Sequence, residues 1–193
     1  QEEQFWNVWV KSGRSTIKIR TSFVINAMGL AAALWSNAAF NENRFEHRFC
    51  RGRYFGLKTR FTNQVKHLIY HVPQQAGFGT HITVDMAGAA RLGPDTDWCD
   101  DADLEHLEKY YDCDWDVIQK KFLLTVNQYC PAIKANDMLP GLVGIRPKLF
   151  VNQNACSDFF IEQEEGFVHC LGIESPGLTA SLAIAERVVK FLQ

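Results

Sequence analysis

The order in which hydrophobic periods follow one another constrains this chain more than any single motif. Apolar and polar residues partly alternate from Phe5 to Val10, Lys11-Ser12-Gly13-Arg14 makes a turn, and alternation resumes from Thr16 to Arg20. That is the pattern of a β-hairpin. Phe23-Val24-Ile25 is a short continuous apolar run of the buried-strand kind. It ends in Asn26-Ala27-Met28-Gly29 and gives way to an Ala-rich helix expected over 30–39. Strands are expected at 49–57, 67–72, 80–86 and 89–92, punctuated by Gly77, Gly79 and Gly88. Helices follow at 104–110 and 116–129. The second carries Val117, Phe122, Leu124 and Val126 as a rough apolar stripe and has Pro131 just past its end. Strands return at 142–150, 158–162 and 167–171, and a last helix runs from Pro176 with Leu178, Leu182, Ile184, Val188 and Leu192 at helical spacing. Strands, then helices, then strands again define an α/β chain, either an α+β arrangement or a piece of a larger α/β protein.

Composition excludes several classes. A content of 47% hydrophobic and 22% charged residues is ordinary for a globular domain and argues against disorder. The length of 193 residues suits one domain or one large fragment. A net charge of −2 gives no general attraction to nucleic acid or anionic membranes. Arg44, Arg48, Arg51 and Arg53 are interleaved with Phe45, Phe49 and Tyr54, but Glu46 interrupts the run, which reads as a strand with one charged face. The acidic segment Asp95 to Asp103 lacks a calcium-loop pattern and reads as a solvated loop. No apolar run approaches the ~20 residues of a bilayer span. The six cysteines form no CxxC pair, so neither a zinc site nor a redox motif is expected. Scattered thiols point to an intracellular, reducing compartment, cytoplasm or mitochondrion. The chain opens inside a strand-like segment without an initiator Met or a signal peptide, and so reads as a fragment.

Chemistry is best placed at Gly172-Ile173-Glu174-Ser175-Pro176-Gly177-Leu178-Thr179, where a strand meets two glycines, a proline and a helix. Backbone without side chains approaches a ligand closely. The free N–H groups and dipole of a helix start suit a ligand oxygen carrying negative charge. A plain strand-to-helix turn with a Ser cap has the same local pattern. Asn26-Ala27-Met28-Gly29 is a second turn of this kind. Arg146, flanked by Ile145 and Pro147 in an expected strand, needs a partner, either a substrate carboxylate held bidentately or an internal carboxylate. His81 opens a strand and suits either proton acceptance or a structural hydrogen bond. Gly77-Phe78-Gly79 imitates a dinucleotide motif, but Ile82 stands where the third glycine belongs and a strand, not a helix, follows.

Seven motifs, in order, carry a family resemblance. They are Val24-Ile25-Asn26-Ala27-Met28-Gly29-Leu30, Arg51-Gly52-Arg53-Tyr54-Phe55, Leu68-Ile69-Tyr70-His71-Val72-Pro73, Gly79-Thr80-His81-Ile82-Thr83, Gly93-Pro94-Asp95, Gly144-Ile145-Arg146-Pro147-Lys148-Leu149, and the segment 172–185. Together they resemble the C-terminal half of the D-amino-acid-oxidase (DAO) superfamily of FAD-dependent oxidoreductases, in its L-2-hydroxyglutarate-dehydrogenase-like branch. The resemblance implies the C-terminal part of a split, Rossmann-like FAD domain (1–44 and 164–193) around a mixed-sheet substrate domain (45–163). It places Ala27, Gly29, Gly172, Ile173, Glu174, Ser175, Pro176, Gly177, Leu178 and Thr179 along the cofactor. It places Arg146, Tyr70 and Arg51 on a small carboxylate substrate and His81 as catalytic base, with no metal. The implied activity is FAD-dependent oxidation of a 2-hydroxy acid to a 2-oxo acid. The alternatives are an amino-acid or N-methylglycine oxidase, and a non-catalytic remnant. The N-terminal dinucleotide-binding segment is absent from this sequence, so residues 1–193 alone are expected to bind FAD weakly and to be inactive by themselves.

Overall fold

The computed structural model describes residues 5–62, 64–70, 80–99 and 104–192. In chain order the strands are β1 (Trp6–Ser12), β2 (Ser15–Thr21), β3 (Val24–Asn26), β4 (Phe45–Leu57), β5 (His81–Val84), β6 (Ala90–Gly93), β7 (Asp97–Cys99), β8 (Met138–Val151), β9 (Asn154–Ala155), β10 (Phe160–Glu164) and β11 (Phe167–Leu171). The α-helices are α1 (Ala32–Phe40), α2 (Trp115–Val126) and α3 (Gly177–Lys190). This is a mixed α/β chain, as the alternation of periods implies. The chain forms two compact units, residues 1–48 with 147–193, and residues 49–146. The boundaries of these units lie inside β4 and β8, whereas the expected domain boundaries are after 44 and 163.

In the first unit β1 and β2 form an antiparallel hairpin, with Trp6 opposite Thr21 and Ser12 opposite Ser15. A three-stranded sheet has the order β10-β11-β3. Its central strand, β11, is buried at every residue, as a strand covered on both faces must be. β11 runs antiparallel to β10 and parallel to β3, with Phe167, Val168 and His169 opposite Val24, Ile25 and Asn26. Trp6 packs on Phe40 and Phe167, and its indole Nε1 donates to the Glu165 carbonyl at 2.8 Å. Ala32, Ala33, Phe45, Leu149 and Leu171 make one core cluster, and Ile161, Val168, Cys170 and Val188 another. The helix expected from Leu30 begins as a 3-10 turn over Gly29–Ala31 and becomes α-helical at Ala32.

In the second unit α2 buries Ile118, Phe122 and Val126 against Phe55, Ile82 and Leu92. The spacing is i, i+4, i+8, one stripe of a helix. Val117 and Leu124, which the sequence analysis put in that stripe, are exposed, because they lie off the packed line. The Asp114 side chain caps the helix by accepting from the Val117 N–H at 3.2 Å. Two acidic residues assigned to a solvated loop prove to be structural. Asp97 starts β7, which pairs with β4, and Asp95 and Asp97 bind β4 arginines. Local charge pattern cannot reveal partners this far apart in sequence. Of the expected strand at 67–72, Ile69 makes a bridge to Ile82. His71, Val72, Gly77 to Gly79, Asp100, Asp101 and Asp103 lie outside the described residues. Among the described residues no helix is long and apolar enough to cross a membrane.

Phe122 is 1% exposed and packs edge-on against Phe55 with ring centroids 5.0 Å apart. Phe122→Ala should cost about 3–5 kcal/mol of stability through lost burial and the cavity left behind. Equilibrium urea unfolding measures this, and a loss below about 1 kcal/mol would contradict the packing described.

Candidate functional site

The parallel register of β3 and β11 decides where the first unit presents backbone. Both strands run in the same direction and both lead into helices, β3 through residues 27–31 into α1 and β11 through residues 172–176 into α3. The two turns therefore leave from the same end of neighbouring strands. Crevices outside the carboxyl ends of parallel strands are where open α/β sheets bind ligands.

Each turn has a distinct local cause. Gly172 has φ +64°, and a Cβ there would stand 2.9 Å from the Leu149 Cβ, so only glycine lets the chain turn while Leu149 fills the core beneath. Glu174 is tied to Lys148, Nζ to Oε1, at 2.5 Å. The α3 N-cap is Pro176, which provides no side-chain cap, so no serine caps this helix. The Ala180 N–H reaches the Pro176 carbonyl at 3.0 Å, and Leu178 is 91% exposed. An uncapped helix start beside exposed backbone fits an anionic or oxygen-bearing group of a cofactor. In the other turn Gly29 has φ +58° with open space where a Cβ would stand. Ala27 and Met28 are exposed beside it.

Beneath the first turn lies a buried polar chain that sequence reading missed. Asn26 Nδ2 donates to the Ala32 carbonyl at 2.7 Å and to Ser36 Oγ at 2.9 Å, and Asn26 Oδ1 accepts from the Met28 N–H at 3.3 Å. Ser36 Oγ lies 2.8 Å from His169 Nδ1. Asn26, Ser36 and His169 are each at most 3% exposed. Burial pushes His169 below its ordinary value, Glu164 acting against that and Arg44 with it. The signal available in sequence was a single Asn ending an apolar run.

In the second unit, Arg146, Tyr54, Tyr70 and His81 gather. Arg146 Nε donates to the Cys50 carbonyl at 3.4 Å, and Nη2 reaches Cys50 Sγ at 3.3 Å and the Arg51 and Asp95 carbonyls at 3.4 and 3.2 Å. No carboxylate among the described residues forms an ion pair with it. Tyr54 feels its charge. Burial raises the Tyr54 phenol above its ordinary value, the positive charge of Arg146 works against that rise, and Tyr70 adds to it. A Cβ at Gly93 would stand 2.8 Å from the Tyr54 ring, so glycine there makes room for the tyrosine. Tyr70 and His81 stack with ring centroids 4.5 Å apart and 28° between planes. His81 lies opposite Gly93 in the β5–β6 ladder.

Arg51 has a different setting. Its Nε and Nη2 bind Asp97 Oδ2 at 3.0 and 2.5 Å, and Nη1 donates to the Tyr110 and Asp112 carbonyls at 2.8 and 3.4 Å. A guanidinium so engaged has little left for a substrate carboxylate. With Arg53, Asp97, Cys113 and Lys121 it lines a cleft of about 310 Å³ that does not include Arg146, Tyr54, Tyr70 or His81. Arg53 in turn donates from Nε and Nη2 to Asp95 Oδ2, while its backbone N–H donates to Oδ1. Among the described residues there is no cluster suited to a metal ion.

The first unit thus holds a fully buried strand, β11, paired in parallel with β3, and both strands lead into turns lined by backbone. The family model for FAD dependent oxidoreductases, DAO, matches residues 1–191, and the chain belongs to this family. It is 37% identical over 191 residues to the mitochondrial L-2-hydroxyglutarate dehydrogenase of Arabidopsis thaliana, covering 92% of this chain and 39% of that protein. It is 28% identical over 187 residues to a glycerol 3-phosphate dehydrogenase of Caloramator mitchellensis, covering 90% of this chain and 34% of that one. The chain thus spans well under half the length of these relatives. Among solved structures, the reduced L-α-glycerophosphate oxidase of Mycoplasma pneumoniae with FAD bound superposes with a TM-score of 0.71 at 23% identity, over 90% of this chain and 43% of that one. That likeness shows the fold.

Gly172→Ala forces a side chain into the left-handed region and against Leu149, and should destabilise the protein by about 1–2 kcal/mol. Thermal unfolding tests it. An unchanged midpoint would mean the turn relaxes without cost.

Proposed function

We propose that this chain is the C-terminal part of an FAD-dependent dehydrogenase that oxidises a small 2-hydroxy acid to the corresponding 2-oxo acid. The observation that carries the reading is Arg146, a half-buried guanidinium bonded to carbonyls and a thiol at 3.2–3.4 Å, with no protein carboxylate beside it among the described residues. Nη1 makes no hydrogen bond to a described residue, and the bonds of Nε and Nη2 are long enough, at 3.2–3.4 Å, to give way to a substrate carboxylate that takes the fork bidentately. Tyr54 and Tyr70 flank it with hydroxyls that orient the substrate. His81, held face to face with Tyr70, accepts the hydroxyl proton as the carbinol carbon is oxidised. Arg51 acts indirectly in this reading, by fixing β4 to β7 through Asp97, so that the Cys50 and Arg51 carbonyls stand where Arg146 needs them.

Bound FAD supplies the acceptor for the two electrons and the hydrogen that leave the carbinol carbon. The residues that would hold it are Ala27 and Gly29 in the first turn, and Gly172, Ile173, Glu174, Ser175, Pro176, Gly177, Leu178 and Thr179 in the second. The N–H groups of Leu178 and Thr179, which no side chain caps at the start of α3, would stabilise negative charge on the reduced ring. All six cysteines are free thiols, which supports a reducing intracellular compartment.

Two substitutions separate binding from chemistry in the protein that carries this chain. Arg146→Lys should weaken apparent substrate affinity at least about tenfold while FAD content stays constant, because a point charge cannot replace a bidentate fork. Unchanged affinity would make Arg146 structural. His81→Asn should slow flavin reduction by roughly 10²–10⁴-fold and remove the rise of that rate with pH, since amide cannot take up the proton. Stopped-flow reduction across pH decides this, and a preserved profile would remove His81 from the role of base.

A further inference from the structure

On the reading that the two turns of the first unit hold FAD, we propose that His47 is a positioning residue which ties them together and releases one of them on protonation. His47 lies on β4, and no metal-ligand or catalytic spacing in the sequence singles it out. Its Nδ1 is 3.1 Å from the Leu30 carbonyl, next to Gly29, and its Nε2 is 3.4 Å from the Gly172 amide nitrogen. These partners fix the tautomer. The Leu30 carbonyl can only accept, so Nδ1 carries the proton. The Gly172 N–H can only donate, so Nε2 presents its lone pair. One neutral imidazole thus bridges the backbone of both turns, at the residue after Gly29 in one and at the left-handed glycine in the other.

Protonation ends this arrangement. A proton on Nε2 replaces the lone pair and sets N–H against N–H at Gly172, while the bond to Leu30 survives. Burial lowers the imidazole below its ordinary 6.5, and the Leu30 carbonyl, which favours the charged form, only partly offsets it. The sign follows. Holding His47 neutral stabilises the bridged state fully above pH 6.5, and that stabilisation is lost as pH falls through the lowered value. The charged groups around it are mutually paired. Glu46 and Arg48, its neighbours on β4, alternate to the opposite face and bind each other at 2.7 Å. Lys148 on β8 and Glu174 in the α3 turn bind each other at 2.5 Å. On β11, His169 is engaged with Ser36 of α1. None of these is a counter-ion that would hold His47 charged.

The test is FAD affinity, read by quenching of flavin fluorescence on titration into the apoprotein carrying this chain, from about pH 8 to about pH 5, a span that brackets imidazole titration. The dissociation constant of the wild type should rise about fivefold as pH falls through the lowered His47 value, the worth of one modest hydrogen bond. His47→Gln offers an amide donor and acceptor that do not titrate. It should bind FAD within about twofold of the wild type at neutral pH and show a flatter acid limb. His47→Leu should bind about fivefold more weakly at neutral pH, also with a flatter limb. A wild type that binds FAD equally well across this range, or a His47→Gln protein that keeps the full wild-type acid limb, overturns the role of His47 and leaves the cofactor reading intact. Absence of FAD binding at every pH overturns both.

Discussion

The parallel pairing of β3 with β11 is the constraint on which the first unit depends. It joins residues 24–26 to residues 167–169 and sets both strands running the same way. Because parallel neighbours cannot be joined by a tight turn, each must leave through a longer excursion, here a helix. The two departures bring Ala27 to Ala31 and Gly172 to Pro176 to one end of the strand pair. In the proposed reading, in which these turns hold FAD, the support comes from what lies under them as well as from the glycines. Asn26, Ser36 and His169 are linked by hydrogen bonds below the first turn, with His169 Nε2 left without a hydrogen bond among the described residues, and Leu149 packs beneath Gly172 where no Cβ intervenes. A buried polar chain of this kind is costly to break.

The second unit rests on a different device, a ladder of arginines neutralised in pairs. Arg51 is bound by Asp97, Arg53 by Asp95 and Asp97, and Arg60 by the buried Asp137. Each pair fastens β4, or the turn that follows it, to a segment distant in sequence. Among the described residues Arg146 is the exception, since it meets carbonyls and a sulfur instead of a carboxylate. A cation kept half-buried among dipoles costs stability unless something negative joins it, and a ligand that does so gains the interaction the protein withholds from itself.

Much of this was legible in the sequence. The hairpin, the apolar strand leading to Asn26, and β11 followed by α3 all follow from periodicity and turn residues. The turn at 172–179 stood out because glycine and proline are read directly. What was not legible depends on partners far apart in the chain. Asp95 and Asp97 look like solvent-facing acids until β4 is placed beside them, and Arg51 looks like a substrate ligand until Asp97 occupies it. Tyr54 gave no local signal. Its setting comes from Arg146, Tyr70 and Gly93, none of them close to it in sequence. His47 and His169 carry no signal in sequence spacing, because their environment is set by backbone groups and a serine.

The central claim is that Arg146 serves a substrate carboxylate beside a hydroxyl-bearing carbon. It is tested most directly by mixing the flavin-loaded protein, without oxygen, with L-2-hydroxyglutarate, glycerol 3-phosphate or glycine, and following loss of the oxidised flavin absorbance. The account predicts rapid bleaching by the 2-hydroxy acid and little by the other two. Bleaching by glycerol 3-phosphate or glycine in preference to the 2-hydroxy acid would contradict it.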